Sequence, residues 1–204
     1  MNLLQQELNR YHQAIAHNPN NPRNYVLRGM VQFKLANIAA SIADFDRAEE
    51  LDASITPYLW QRGLSYYYAN RFEEGARQFE VDLQVNSQDV EETVWRYLCV
   101  ARLEGVEMAR KSLLPVKNDP RRVMQLVYDF YAGDCQIDSV LGVGNFFAPH
   151  PKFYSHLYVG LFFEVANQPE KAKFYVSKAV DDFPIDDYMW HLGRVHKILR
   201  GWDV

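Results

Sequence analysis

The stretch "LRGMVQFKLANIAASIADFDRAEELD", Leu27 to Asp52, is answered further along by "WQRGLSYYYANRFEEGARQFEVDLQ", Trp60 to Gln84. Gly29 and Gly63 stand 34 residues apart, as do Arg28 and Arg62, and Phe45 and Phe79. Ser41 falls opposite Gly75 and Ile38 opposite Phe72, so small and bulky residues return in phase. A fixed interval of this length marks a chain of stacked supersecondary units. Carried back from Phe45 and Ala48, the interval lands on Tyr11 and Ala14. These lie in a stretch whose Leu4, Leu8, Tyr11 and Ile15 form one apolar helical face. Near the other end, Gly160 heads "GLFFEVANQPEKAKFYVSKAVDDFP", and Ala179 lies as far beyond it as Ala48 lies beyond Gly29.

Gly29 and Gly63 sit inside helical patterns, where glycine costs roughly 1 kcal/mol relative to alanine. Such a cost is sensible where a neighbouring helix crosses too closely for a side chain. Ser41, Gly75 and Ala172 are then the small partners of the crossing, and Phe45 and Phe79 fill the space between one hairpin and the next. The turns "ANIAAS", "ANRFEE" and "ANQPEKA" separate the paired helices, the last opening with Pro169 at or near the first helical position. A lone hairpin leaves one apolar face uncovered, so the units must stack.

The middle of the chain is less regular. "DVEETVWRYLCVARLE" is an amphipathic helix with Asp89 as N-cap and Glu92 as its capping-box partner. "GVEMARKSLLPV" gives a short helix stopped by Pro115, and "DPRRVMQLVYDFYAG" restarts with Asp119 as cap. "CQIDSVLGVG" provides one or two turns, and "NFFAPHPK" reads as a loop. The terminal "DDYMWHLGRVHKILRG" reads as a solvent-facing cap helix, with Trp190 sealing the preceding hairpin and Gly201 ending it. The expected organisation is one helical domain over 1–204: a half repeat at 2–20, repeats at 22–55 and 56–89, a degenerate region at 90–150, a repeat at 153–186 and a cap helix at 187–200.

These residues resemble the tetratricopeptide repeat, a family of antiparallel helix pairs with small residues at the crossings, an aromatic in the second helix and a closing proline. Arg28 and Arg62 depart from the leucine usual there, and Asp82 from alanine. The weak central repeats, the "FYAGD" turn and the final clear repeat are also similar to the NlpI-type lipoprotein group, helical adaptors that form dimers. The lipobox cysteine of that group is missing near the start of this sequence.

The resemblance implies an all-α superhelix of antiparallel hairpins, a tetratricopeptide-like solenoid, that acts as an adaptor for other proteins. It also implies a concave groove lined by the first helices. Its residues would be Arg23, Val26, Leu27, Met30, Phe33 and Lys34 in the first full unit, and Trp60, Gln61, Leu64, Tyr67 and Tyr68 in the second. Tyr154, Leu157, Tyr158, Leu161 and Glu164 would complete it in the late unit. A surface this rich in Trp and Tyr suits a partner's apolar helix or extended peptide. The alternatives are a homodimer surface, self-packing of the same aromatics, and an enzyme with a cryptic site. The carboxylate clamp of the chaperone-binding members is largely missing, since Leu27 and Gln61 follow Arg23.

The net charge is −4 and no basic block occurs; "KNDPRR" is a solvated loop, so no nucleic-acid partner is expected. Cys99 and Cys135 form neither a metal pair nor a disulfide framework, and Cys99 falls on a buried helix face as an inert thiol. His12, His17, His150, His156, His191 and His196 show no compact ligand spacing, and "GVGNF" lacks the residues of a phosphate loop. Asp181, Asp182, Asp186 and Asp187 read as loop and capping carboxylates. No enzyme activity, metal or cofactor is expected. No apolar run is long enough to span a membrane. "MNLLQQELNR" lacks the pattern of a signal peptide, which favours a cytoplasmic location. Periplasmic or organellar residence stays open if a targeting segment has been removed.

Overall fold

The computed structural model describes residues 3–117, 119–144 and 149–202. The protein is all-α, built of stacked antiparallel helix pairs, with no strand among the described residues. It divides into two compact units, 1–85 and 86–204.

The first unit contains α1 (Leu3–His17), α2 (Pro22–Lys34), α3 (Ile38–Leu51), a 3-10 helix (Ala53–Tyr58), α4 (Trp60–Tyr68) and α5 (Phe72–Val85). Leu8 and Tyr11 of α1 are buried with Val31 of α2, and Leu27 and Leu35 pack on them. Asn21 starts α2 by accepting from the Arg23 N–H at 3.1 Å, with Pro22 at the first position. The second pair is shorter at its start. Asp52 accepts from the Ser54 N–H at 3.0 Å and Pro57 follows, so the chain winds a 3-10 helix before α4 begins at Trp60.

The second unit contains α6 (Val90–Glu104), α7 (Val106–Lys111), α8 (Arg122–Ala132), α9 (Ile137–Leu141), α10 (Pro149–Val165), α11 (Pro169–Asp182) and α12 (Tyr188–Leu199). Helix α10 is its centre, packed by α6, α8, α9 and α11. Every residue from Phe153 to Leu161 is buried, the pattern of a helix covered all round. It begins four residues earlier than the expected loop allows, because Pro149 and Pro151 both fall in a first turn where no N–H is missed. Residues 145–148 of that loop lie outside the described residues. Helix α8 begins at Arg122 rather than just after Asp119. The Asp119 carboxylate instead accepts from the Arg121 backbone at 2.8 Å and from its guanidinium at 2.8 and 3.0 Å. Asp89 does cap α6, accepting from the Glu92 N–H at 3.0 Å.

The repeat is visible in the backbone itself. Ala36, Asn70 and Asn167 all adopt the left-handed conformation, with φ of 60°, 58° and 56°. In each case the next N–H reaches back five residues: Asn37 to the Gln32 carbonyl, Arg71 to Tyr66 and Gln168 to Phe163, all at 2.9 Å. This is the Schellman closure of a helix, repeated at the same place in three hairpins. Ala36 adopts it without the help of a glycine or asparagine, against a cost of roughly 1–2 kcal/mol.

The glycines lie where helices cross. A Cβ on Gly63 would meet Phe79 Cζ at 2.6 Å, and one on Gly160 would meet Val176 Cγ2 at 2.6 Å. At Gly29 it would sit 3.2 Å from both Phe45 Cζ and the Ser41 carbonyl oxygen. The Phe45 and Phe79 rings therefore press on the glycine of their own hairpin, a role within the unit rather than only between units. The Ser41 hydroxyl ties the same crossing, donating to the Gly29 carbonyl at 2.8 Å.

The arginines beside these glycines are also paired within the first unit. Arg28 grips Asp44 through Nε at 2.9 Å and a terminal nitrogen at 2.6 Å. Arg62 holds Gln78 at 2.8 Å and Glu49 at 2.7 and 2.9 Å, with Asp46 at 3.2 Å. In both hairpins the arginine reaches the residue sixteen positions on.

Helix α12 starts on Asp187, which accepts from the Met189 N–H at 2.8 Å, and Trp190 donates to the Val180 carbonyl at 3.1 Å, sealing α11. Its inner face is more than a cap, because His196 and Lys197 are buried with Leu192 and Val195.

Gly63→Ala is expected to destabilise the first unit by about 1–3 kcal/mol through overpacking on Phe79. Phe79→Ala should cost about 3–5 kcal/mol. Urea unfolding of both variants checks this; a G63A variant as stable as the wild type would remove the close crossing as the reason for the glycine.

Candidate functional site

The expected groove residues fall into two classes. On α2, Arg23 is exposed and Leu27, Met30 and Lys34 are partly so, whereas Phe33 is fully buried. On α4, Trp60 keeps partial access, whereas Gln61, Leu64, Tyr67 and Tyr68 are buried. On α10, Tyr154, Leu157, Tyr158 and Leu161 are all buried. The accessible part of the set is therefore Arg23, Val26, Leu27, Met30, Lys34 and Trp60, at the start of the chain, with Glu164 half-buried near the end of α10.

Aromatic packing accounts for the rest. In the first unit Tyr68 lies 5.7 Å from Phe33 and 5.4 Å from Tyr67, which in turn lies 5.5 Å from Phe72. Such tilted and edge-on pairs stabilise beyond the area they bury. Gln61 turns its amide to the Met30 sulfur at 3.9 Å.

In the second unit the tyrosines serve a polar network that spacing alone does not reveal. The Tyr158 hydroxyl donates to Glu91 at 2.9 Å. Arg121 pairs with the other Glu91 oxygen and with Asp119. Tyr154 donates to Asp187 at 3.1 Å, and its ring stacks on that of Tyr158 at 6.3 Å. Burial pushes the Glu91 carboxyl upward and the Arg121 guanidinium pulls it back. Burial likewise holds the Tyr158 phenol well above its ordinary range. This arrangement fixes α6, α8 and α10 to one another. A phenol so buried and so hard to ionise suits positioning rather than proton transfer. Tyr131 adds to the same core, donating to the Tyr158 carbonyl at 2.8 Å and packing on Tyr97 at 4.9 Å.

Asp82 is a buried carboxylate in the first unit. Gln78 donates to one oxygen at 2.7 Å, and the other has no hydrogen-bond partner. Burial pushes the group up to about 7, with Gln78 and Arg62 opposing. The Cys99 thiol is buried and pushed up by desolvation, which leaves little thiolate for nucleophilic work.

Among the described residues no group of three or more His, Cys, Asp or Glu is placed to hold a metal ion, and no helix is long and apolar enough to cross a membrane. Compared with known proteins, the chain matches no family model and no curated sequence.

Asp82 predicts a pH dependence of stability. Its ordinary value is 3.8, so between about pH 4 and pH 7 the folded chain keeps a proton that the unfolded chain has lost. Stability therefore falls as pH rises through that window and levels off above it. Asp82→Asn should flatten this slope, which for one group is at most about 1.4 kcal/mol per pH unit. Urea midpoints of wild type and D82N from pH 5 to pH 8 give the comparison, and parallel curves would exclude Asp82 as the source. A second expectation concerns the network: Tyr158→Phe should lower stability by about 1.5–3 kcal/mol, as loss of a hydrogen bond to a charged group does. Thermal melts would show it, and an unchanged midpoint would mean that Glu91 is satisfied without the phenol.

Proposed function

We propose that this chain is a protein-binding adaptor of tetratricopeptide type, which holds a peptide or helix of another protein on the accessible face of its first helices. The observation that carries this reading is the threefold recurrence of one hairpin, with the same left-handed turn residue, the same helix closure and the same glycine crossing. Repeats of this kind expose a row of first-helix side chains, and such rows suit extended or helical ligands. Arg23, Met30 and Trp60 are of the types enriched at interfaces, and Lys34 adds a further positive charge on the accessible side of α2. The irregular stretch before the last regular hairpin supports grouping with the NlpI-type adaptors. On this reading the chain is not an enzyme and needs no cofactor.

The test compares wild type with a K34E/W60A variant in pull-downs from the source cell, both checked by circular dichroism and by mass in solution. Tyr67 is left intact, because its full burial makes truncation a test of folding. A protein retained by wild type and lost by the variant at unchanged oligomer mass is the expected result. Equal retention would move the binding site elsewhere. A variant that falls from dimer to monomer would mean that this face joins two copies of the chain.

A further inference from the structure

Helix α11 carries an open groove of about 560 Å³ along its outer face, lined by Glu170, Lys173, Phe174, Ser177, Lys178 and Asp181, with Asp182 at its end. Phe174 is 59% exposed, its ring set edge-on to that of Tyr175 with centroids 5.0 Å apart. A single exposed aromatic needs no explanation in itself. The order of the charges around it is the informative feature. Residues four apart on a helix form a row along its surface. One row is Glu170, Phe174, Lys178, and the row beside it is Lys173, Ser177, Asp181. The first reads anion, ring, cation, and the second reads cation, hydroxyl, anion. Each row therefore changes sign about its own middle residue. Phe174 and Ser177 are three residues apart and lie side by side, so one two-fold axis crosses both rows at their middles.

We propose that this face of α11 is a self-association surface, on which a second copy of the chain docks antiparallel about that two-fold axis. The pairing brings Glu170 to the second copy's Lys178, Lys173 to its Asp181, and the Phe174 rings together. A parallel pairing would set like charge on like. Neither Glu170 nor Lys173 makes an ion pair among the described residues. Lys178 and Asp181 are each held once, by Asp182 at 3.0 Å and by Lys197 at 2.9 Å, and both side chains stay open enough to take a second partner. Exposed ion pairs add little individually, so their part here is to fix direction and register. The two rings supply the apolar centre. One helix face falls short of the roughly 800 Å² per partner of a standard interface, so the dimer is weak and concentration-dependent. The surface belongs to the second unit alone and does not rest on the protein-binding reading of α2 and α4.

The test is sedimentation equilibrium of the full chain from about 10 μM to about 1 mM. Wild type is compared with Phe174→Ser, Glu170→Lys and Lys178→Glu, each checked for fold by circular dichroism. Wild type is expected to pass from monomer toward dimer across that range. F174S should weaken association at least about tenfold, and the exposure of the ring means that its loss leaves the core alone. E170K and K178E each place like charges across the axis twice and should weaken association by about the same factor. Mixed in equal amounts, the two charge variants complement each other, and heterodimers should form about as tightly as the wild-type dimer. Two misfolded variants would not rescue one another. A wild type that stays monomeric up to about 1 mM overturns the proposal. So does a dimer that F174S leaves unchanged, charge reversals without effect, or a mixture that associates no better than its components.

Discussion

Two helix backbones come this close only where one of them carries no side chain, and the regular part of the protein depends on that constraint. Gly29, Gly63 and Gly160 each receive the side chain that lies sixteen residues on, a phenyl ring twice and a valine once. The intrinsic helix penalty of glycine is roughly 1 kcal/mol, whereas a well-buried Phe is worth about 3–5 kcal/mol against alanine, so the crossing wins. The left-handed residue in the turn sets the phase. With Ala36, Asn70 and Asn167 fixed, the second helix returns at one angle, and the ring, or in the last hairpin Val176, falls on the glycine. Shifting the turn by one residue would rotate the second helix by about 100° and take the ring off its seat.

The arginines next to the glycines add direction to this packing. A buried ion pair is weak evidence of net stability, because desolvation offsets much of the attraction. Its value lies in what happens when one partner is misplaced, since a guanidinium left without its acceptors is costly. Arg28 with Asp44, and Arg62 with Gln78 and Glu49, therefore penalise any slip of one helix along the other. Asp82 adjoins this polar layer with one oxygen unmatched, and its burial raises its protonation against the opposing pull of Gln78 and Arg62.

The period was legible because it is written in residues that sterics leave little choice over, and the hairpins, the glycine crossings, the Pro169 start and the Gly201 stop all follow from it. The fate of the aromatics was not legible. Helical spacing says which side of α4 or α10 is apolar but not what will cover it. Tyr158 is buried because Glu91, sixty-seven residues earlier, accepts its hydroxyl, and no local pattern announces such a pair. Helix α10 also misleads because its apolar and aromatic residues fall on every side, Ser155 and His156 being the exceptions, so a groove face and a core face look alike along Phe153 to Leu161. Asp119 looked like a cap, but its carboxylate went to the Arg121 side chain as well as to the backbone, and the helix began later.

In the first unit each arginine beside a glycine meets acceptors within its own hairpin or the one before it, so these charges are used in holding the fold. The second unit does the same with residues that no fixed interval relates. Arg121 meets Glu91 of α6, Lys197 of α12 meets Asp181 of α11, and Arg200 meets Glu164 of α10. Each pair joins two helices, so a helix that slid or rotated would separate a charge from its partner at a cost. The regular and the irregular parts of the chain are thus held by one device, and they differ in whether the sixteen-residue step from arginine to acceptor announces it in the sequence.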